Sequence, residues 1–208
     1  MSESGAAGDG PGDDLPWLIV GLGNPGPRYA GNRHNLGYLV VDRIAGDVGG
    51  RFSTHRSRAD VLTGRLGMDA GRPGPRVVLA KPLTFMNESG GPVSGLVRFF
   101  RVPLDRLLVV HDELDLPFGT VRLKRSGGEG GHNGLKSISR SLGSRDYCRL
   151  RLGIGRPPGR MDPADFVLRD VAAADRAEQA VMVEDGADAA KAVTRLGLER
   201  AADTVNRR

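Results

Sequence analysis

Three short apolar runs, each ending in a polar cluster, constrain the fold more than any other feature of this chain of 208 residues. WLIVGLG (17–23) runs into Asn24, VVLAKPL (77–83) leads to Asn87, and LLVVHDEL (107–114) carries His111 and Asp112 at its end. Runs of this length read as core strands. The segments between them have helical period. Leu36, Leu39, Val40 and Ile44 recur from Asn35 to about Val48, and Val93, Leu96, Val97 and Phe100 share a face between about Ser89 and Arg101. GTVRLKR (119–125) alternates like a half-exposed strand, and the glycine-rich SGGEGGHNG (126–134) leads into a helix through Leu135, Ile138 and Leu142. RLRLGIG (149–155) reads as another strand; DFVL and the alanine-rich stretch from Val171 to Ala192 read as closing helices, with a frayed end near Asn206. Strands alternating with helices give an α/β fold: a single domain with a twisted mixed, mainly parallel sheet flanked by helices. In such sheets ligands bind beyond the carboxyl ends of the strands, where Asn24, Asn87, His111 and Asp112 all fall. The site is expected there.

Gly21, Gly23 and Gly26 satisfy G-x-G-x-x-G directly after the first strand, which raises a dinucleotide-binding reading. That motif needs a helix to open at its last glycines, so that backbone N–H groups meet the pyrophosphate. Here regular helix resumes only near Asn35, and Pro25 and Pro27 remove donors where the phosphate would sit. Asp42, at the right distance for the ribose acid, lies inside a helical pattern. The glycines instead suit a tight loop that brings Asn24 against a ligand.

Other chemistries are missing as well. No nucleophile elbow, H-E-x-x-H or P-loop is present, and the four histidines (34, 55, 111, 132) have no metal-ligand spacing. Cys148 is the only cysteine, which suits a reducing cytoplasm and supplies neither a disulfide nor a zinc site. No apolar run approaches the ~20 residues of a membrane span. Residues 1–14 offer almost nothing to bury and read as a disordered tail, leaving 15–208 as the folded domain. The net charge is +5, and between Val121 and Arg160 ten basic residues face two acids, Glu129 and Asp146. Such a segment can present a face to a polyanion.

Read together, GLGNPGPRYAGNRHNLG, KPLTFMNESG, HDELDLPFG and GGHNGLKSI closely resemble the bacterial peptidyl-tRNA hydrolase family, in order and spacing, over roughly Leu18 to Phe166. The resemblance implies a cytoplasmic monomer that hydrolyses the ester between peptide and tRNA without metal or cofactor. It implies His34 as general base, Asp112 as its acid partner, and Asn24 as the residue that separates blocked from free aminoacyl groups. By the same resemblance Tyr29, Phe85, Asn87 and Asn133 contact substrate, while Lys124 and Arg151 lie around the tRNA 5′-phosphate. The residue types suit these roles. Imidazole titrates near neutrality, and an amide both donates and accepts without adding charge. Asn133 also stands where a helix N-cap is expected. The sequence departs from the family pattern at Asn32, often threonine, and at Glu129, an acid beside the expected RNA contacts. One residue fewer than in some members separates Asn133 from Arg151. A catalytically silent RNA-binding protein of the same fold is the alternative reading.

Overall fold

The computed structural model describes residues 15–69 and 71–207, so the tail expected at 1–14 lies outside it. In chain order the strands are β1 (Trp17–Gly21), β2 (Ser53–His55), β3 (Ala59–Arg65), β4 (Met68–Asp69), β5 (Arg72–Pro73), β6 (Arg76–Pro82), β7 (Leu107–Glu113), β8 (Val121–Arg125) and β9 (Cys148–Gly153). The helices are α1 (Leu36–Val48), α2 (Gly90–Phe100), α3 (Asn133–Leu142), α4 (Pro163–Val167), α5 (Arg176–Leu196) and α6 (Leu198–Val205). Seven strands form one sheet in the order β2-β3-β6-β1-β7-β9-β8, and β4 and β5 make a separate hairpin. The central strands β6, β1, β7 and β9 are parallel, and the two flanks are antiparallel. The mixed sheet with a parallel centre is the expected one. The pair β2 and β3 is an addition: nothing between Val48 and Val77 announced it, because STH is polar and β3 lies near the rim of the sheet.

Alternation along the strands divides the core in two. Ile19, Leu79, Leu108, Val110, Leu150 and Leu152 point to one face and pack against Leu36, Val40 and Ile44 of α1 and Met182, Ala190 and Val193 of α5. Leu18, Val20, Val78, Leu107 and Val109 point the other way, onto Val93 and Leu96 of α2 and Leu135 and Ile138 of α3. Full burial of one such Leu or Ile is worth ~1.5–3 kcal/mol, so both layers matter to stability. The connection through α1 carries the chain from β1 towards β6 on one face. The connection through α2 then returns it across β1 to β7 on the other. This reversal opens a crevice at the carboxyl ends of β1 and β7.

The C-terminal end differs from the frayed one expected. Asn206 Oδ1 accepts from the Leu123 N–H at 2.8 Å, and Asn206 Nδ2 donates to the Leu123 carbonyl at 3.0 Å. One side-chain amide thus stands in for a neighbouring strand on the outer edge of β8, where no further strand pairs among the described residues.

Candidate active site

The glycine-rich loop after β1 solves a packing problem. A Cβ on Gly21 would lie 2.2 Å from the carbonyl oxygen of Gly37, so β1 and the first turn of α1 meet backbone to backbone. Gly26 has φ 103°, which lets the chain turn back before a 3-10 turn at Pro27–Tyr29. A second 3-10 turn, Arg33–Asn35, carries His34 to the mouth of the crevice. Asn35 then locks the loop: its Nδ2 donates to the Asn24 carbonyl and its Oδ1 accepts from the Asn24 N–H, both at 2.9 Å. Asn24 in turn accepts through Oδ1 from the Met86 N–H at 2.8 Å, which fastens the loop after β6 to the loop after β1. The acceptor end of this amide is therefore engaged. What Asn24 offers a ligand is its donor, Nδ2.

His34 Nδ1 lies 2.8 Å and 2.9 Å from the two carboxylate oxygens of Asp112, near the end of β7. An ionised carboxylate only accepts, so Nδ1 carries the proton and Nε2 keeps its lone pair, with no hydrogen-bond partner among the described residues. Burial, the largest influence, opposes charge on this ring. The Asp112 charge and hydrogen bond together outweigh it and hold His34 above the ordinary histidine value. For Asp112 burial is again the largest influence and pushes the carboxyl up. The charges and hydrogen bonds of His34 and His132 more than offset it, and the group stays well below the usual carboxylate range. Burial drives His111 down to about 3, so its ring is neutral; Nδ1 donates to the Asp112 carbonyl at 2.8 Å. His34, Asp112 and His132 converge within 4.8 Å, which sequence spacing concealed. In this arrangement each imidazole donates to the shared carboxylate.

Asn133 is not the N-cap of α3. That position belongs to His132, whose Nδ1 accepts from Gly134 N–H and Leu135 N–H, while Asn133 begins the helix. His34, Asp112, His132 and Asn133 line a cleft of about 610 Å³. Its opposite wall comes from the chain around α4, with Arg156, Asp162 and Val167. The other expected residues gather on the loop after β6. Phe85 is 55% exposed, and its ring stands edge-on to Tyr29 at 6.3 Å. Asn87 is exposed in the following 3-10 turn. The turn that carries His34 is braced from the far side: Asn32 Nδ2 donates to Asp170 Oδ1 at 2.8 Å, and the Arg33 guanidinium lies 4.4 Å over Phe166. Asn32 therefore has a structural partner of its own.

The basic segment presents fewer free cations than its composition suggests. Arg125 pairs with Asp146, Arg145 with Glu129, Arg151 with Glu113 and Arg156 with Asp115. Arg149, only 2% exposed, donates to the carbonyls of Gly127 and Gly128 and fastens the glycine loop to β9. Lys124 and Arg151 lie on one face of the β8–β9 pair, since Leu123, Leu150 and Leu152 all point to the other. Lys124 is exposed. Lys136 and Arg140 of α3, with Arg145, line a second hollow of about 540 Å³. Glu129 pairs with Arg145 at 2.7 Å, which answers its charge locally. The Cys148 thiol is buried and pushed up to about 12, so it is no nucleophile. The residues that sequence reasoning left without a role are His132, Asn35 and Arg149. Histidine is not a customary cap, and a buried arginine has no compositional signal.

The family model described as "Peptidyl-tRNA hydrolase" matches residues 18–208. A peptidyl-tRNA hydrolase of Frankia alni is 60% identical over 189 residues, covering 91% of this chain and 93% of the relative. One of Streptomyces coelicolor is 54% identical over 195 residues, covering 92% and 95%. Among solved structures, the crystal structure of peptidyl-tRNA hydrolase from Acinetobacter baumannii is similar with a TM-score of 0.80. It is 32% identical and spans 95% of this chain and 97% of that one.

Proposed function

The chain belongs to the peptidyl-tRNA hydrolase family, and on that premise we propose that it cleaves the ester between peptide and tRNA with His34 as general base. The observation that carries this reading is the Asp112 carboxylate on Nδ1 of His34, which leaves Nε2 free at the cleft. Nε2 takes a proton from water as its oxygen attacks the ester carbonyl carbon. Negative charge builds on the carbonyl oxygen, where neutral amide donors such as Nδ2 of Asn24 and the side chain of Asn133 can answer it. The imidazolium, stabilised by Asp112, then returns its proton to the departing ribose oxygen. Water is the only co-reactant, and the products are a peptide acid and free tRNA.

Charge supports a direction for the substrate. Glu113, Asp115 and Asp162 line the cleft beside His34 together with Arg156. With Glu113 answered by Arg151 and Asp115 by Arg156, the cleft offers phosphates no surplus of positive charge and suits peptide. Lys124, Lys136 and Arg140 lie at the β8 and α3 side and suit the RNA backbone. Arg151 is committed to Glu113, so Lys124 is the stronger phosphate ligand of the pair. Tyr29 and Phe85 offer ring faces to an unstacked base at the acceptor end. Asn87, in the turn that follows Phe85, suits that end as well. A donor at Asn24 recognises a peptide carbonyl, which a free aminoacyl group lacks. We place the reaction in the cytoplasm, with a single chain acting without metal or cofactor. Among the described residues no helix is long and apolar enough to cross a membrane.

The pH dependence of kcat/KM tests the base assignment. Because the His34 conjugate acid is held above 6.5, activity should fall on the acid side through one limb lying above pH 6.5. A profile flat through that region would remove His34 from the base role. No hydrolysis at any pH with tRNA affinity retained would favour the RNA-binding alternative.

A further inference from the structure

The ring of His132 is engaged at both nitrogens, and the two contacts serve different elements. Nδ1 accepts from Gly134 N–H at 3.2 Å and Leu135 N–H at 3.4 Å, capping α3. A nitrogen that accepts these bonds carries no proton, so the ring proton is on Nε2. Nε2 lies 3.1 Å from Asp112 Oδ1 and donates to it. Backbone geometry at a helix start therefore selects the tautomer that meets the carboxylate.

We infer that His132 is a positioning residue for hydrolysis, acting through Asp112 by holding the carboxylate against His34. The inference rests on the reading of His34 as base. Capping alone does not account for this residue. Short Asn, Asp, Ser and Thr are the favoured caps, and none spans from a helix N-terminus to a carboxylate beyond it. The imidazole does, packed between the rings of His34 at 4.8 Å and His111 at 5.1 Å. The remaining titratable or charged groups around the pair are His111 and Glu113 of β7, Arg149 of β9, and Asp115, Arg156 and Asp162 along the cleft. Among the described residues only His34 and His132 donate to the Asp112 side chain.

The consequence for His34 has a definite sign. A carboxylate that accepts from His132 attracts the His34 proton less strongly than one that accepts from His34 alone. Removing the His132 donor concentrates the Asp112 charge on His34, raises the pKa of its conjugate acid and frees the carboxylate to turn. The acid limb of the rate profile then moves to higher pH, and turnover on the plateau falls.

His132→Asn separates the two contacts, because Asn caps well but stops short of Asp112. Its kcat/KM limb should rise by roughly one pH unit, the scale of a lost hydrogen bond to a charged group. Plateau kcat should fall roughly tenfold, with KM and melting temperature close to wild type. His132→Ala should show the same limb shift with a lower melting temperature, since it loses the cap too. In His132→Gln, whose longer amide regains a donor, the limb should lie between those of wild type and His132→Asn. A wild-type limb and wild-type kcat in His132→Asn would reduce His132 to a helix cap and overturn the inference. The same limb in all three variants and the wild type would do likewise. If the wild type itself lacks an acid limb, or His34→Ala retains it, the base reading fails instead.

Discussion

His34→Ala will hydrolyse peptidyl-tRNA roughly 10²–10⁴-fold more slowly than wild type, towards the upper end of that span, while still binding tRNA. On the proposed reading Nε2 of this ring is the base, and among the described residues no nearby group is placed to replace it. The second nitrogen of His132 is fixed as a cap, and His111 lies sealed beneath with Nδ1 donating to backbone. Asn24, Asn87 and Asn133 do not accept protons at neutral pH. Folding should survive the change. Asp112 keeps the His132 donor, and the space left at the cleft mouth can take water. The expected cost in stability is ~1–3 kcal/mol, that of one unmet hydrogen bond to a buried group. On the proposed reading affinity for tRNA should hold, because Lys124 of β8 and Lys136 and Arg140 of α3 are not among the residues that line the cleft with His34. Single-turnover hydrolysis beside filter binding of the same tRNA separates the two properties. Near wild-type turnover would end the base assignment.

Asp112→Asn should lower kcat by roughly 10²–10⁴-fold with little change in melting temperature. Aspartate accepts from two imidazoles at once, His34 Nδ1–H and His132 Nε2–H. The amide has one accepting end and one donating end. His132 cannot change tautomer without abandoning its cap, so the amide oxygen stays with it and the NH2 faces His34. His34 then accepts at Nδ1 and carries its proton at Nε2, where the base is needed. The ring remains in place but cannot take a proton from water. Reduced tRNA binding with unchanged kcat would take Asp112 out of the mechanism.

Much of the architecture was legible because apolar runs and helical spacing are local signals. β1, β6 and β7 and the helices from Leu36, Gly90 and Asn133 fall where periodicity put them. The edge pair β2 and β3 was not legible, since its stability comes from pairing with β6 and STH buries little. The polar end of β7 does lie at the cleft that His34 and Asp112 line. The residues drawn together there were a different matter. His34 and Asp112 are 78 residues apart in sequence, and only the family resemblance joined them before the fold did. The N-cap of α3 was misassigned to Asn133 because propensity favours asparagine, whereas the tertiary contact with Asp112 suits the histidine before it. The basic segment was legible only in total: a count of cations cannot show that Arg149 is buried or that Glu113 and Asp115 reach in from β7 and the loop beyond.

The central claim is a water-activating His34 that acts on a blocked aminoacyl ester. Its most direct test is release of free tRNA from N-acetylaminoacyl-tRNA and from the same tRNA with a free amino group, by wild type and His34→Ala. The account predicts rapid release from the blocked ester alone, lost in the variant. Equal release from both esters, or release that persists in His34→Ala, would contradict it.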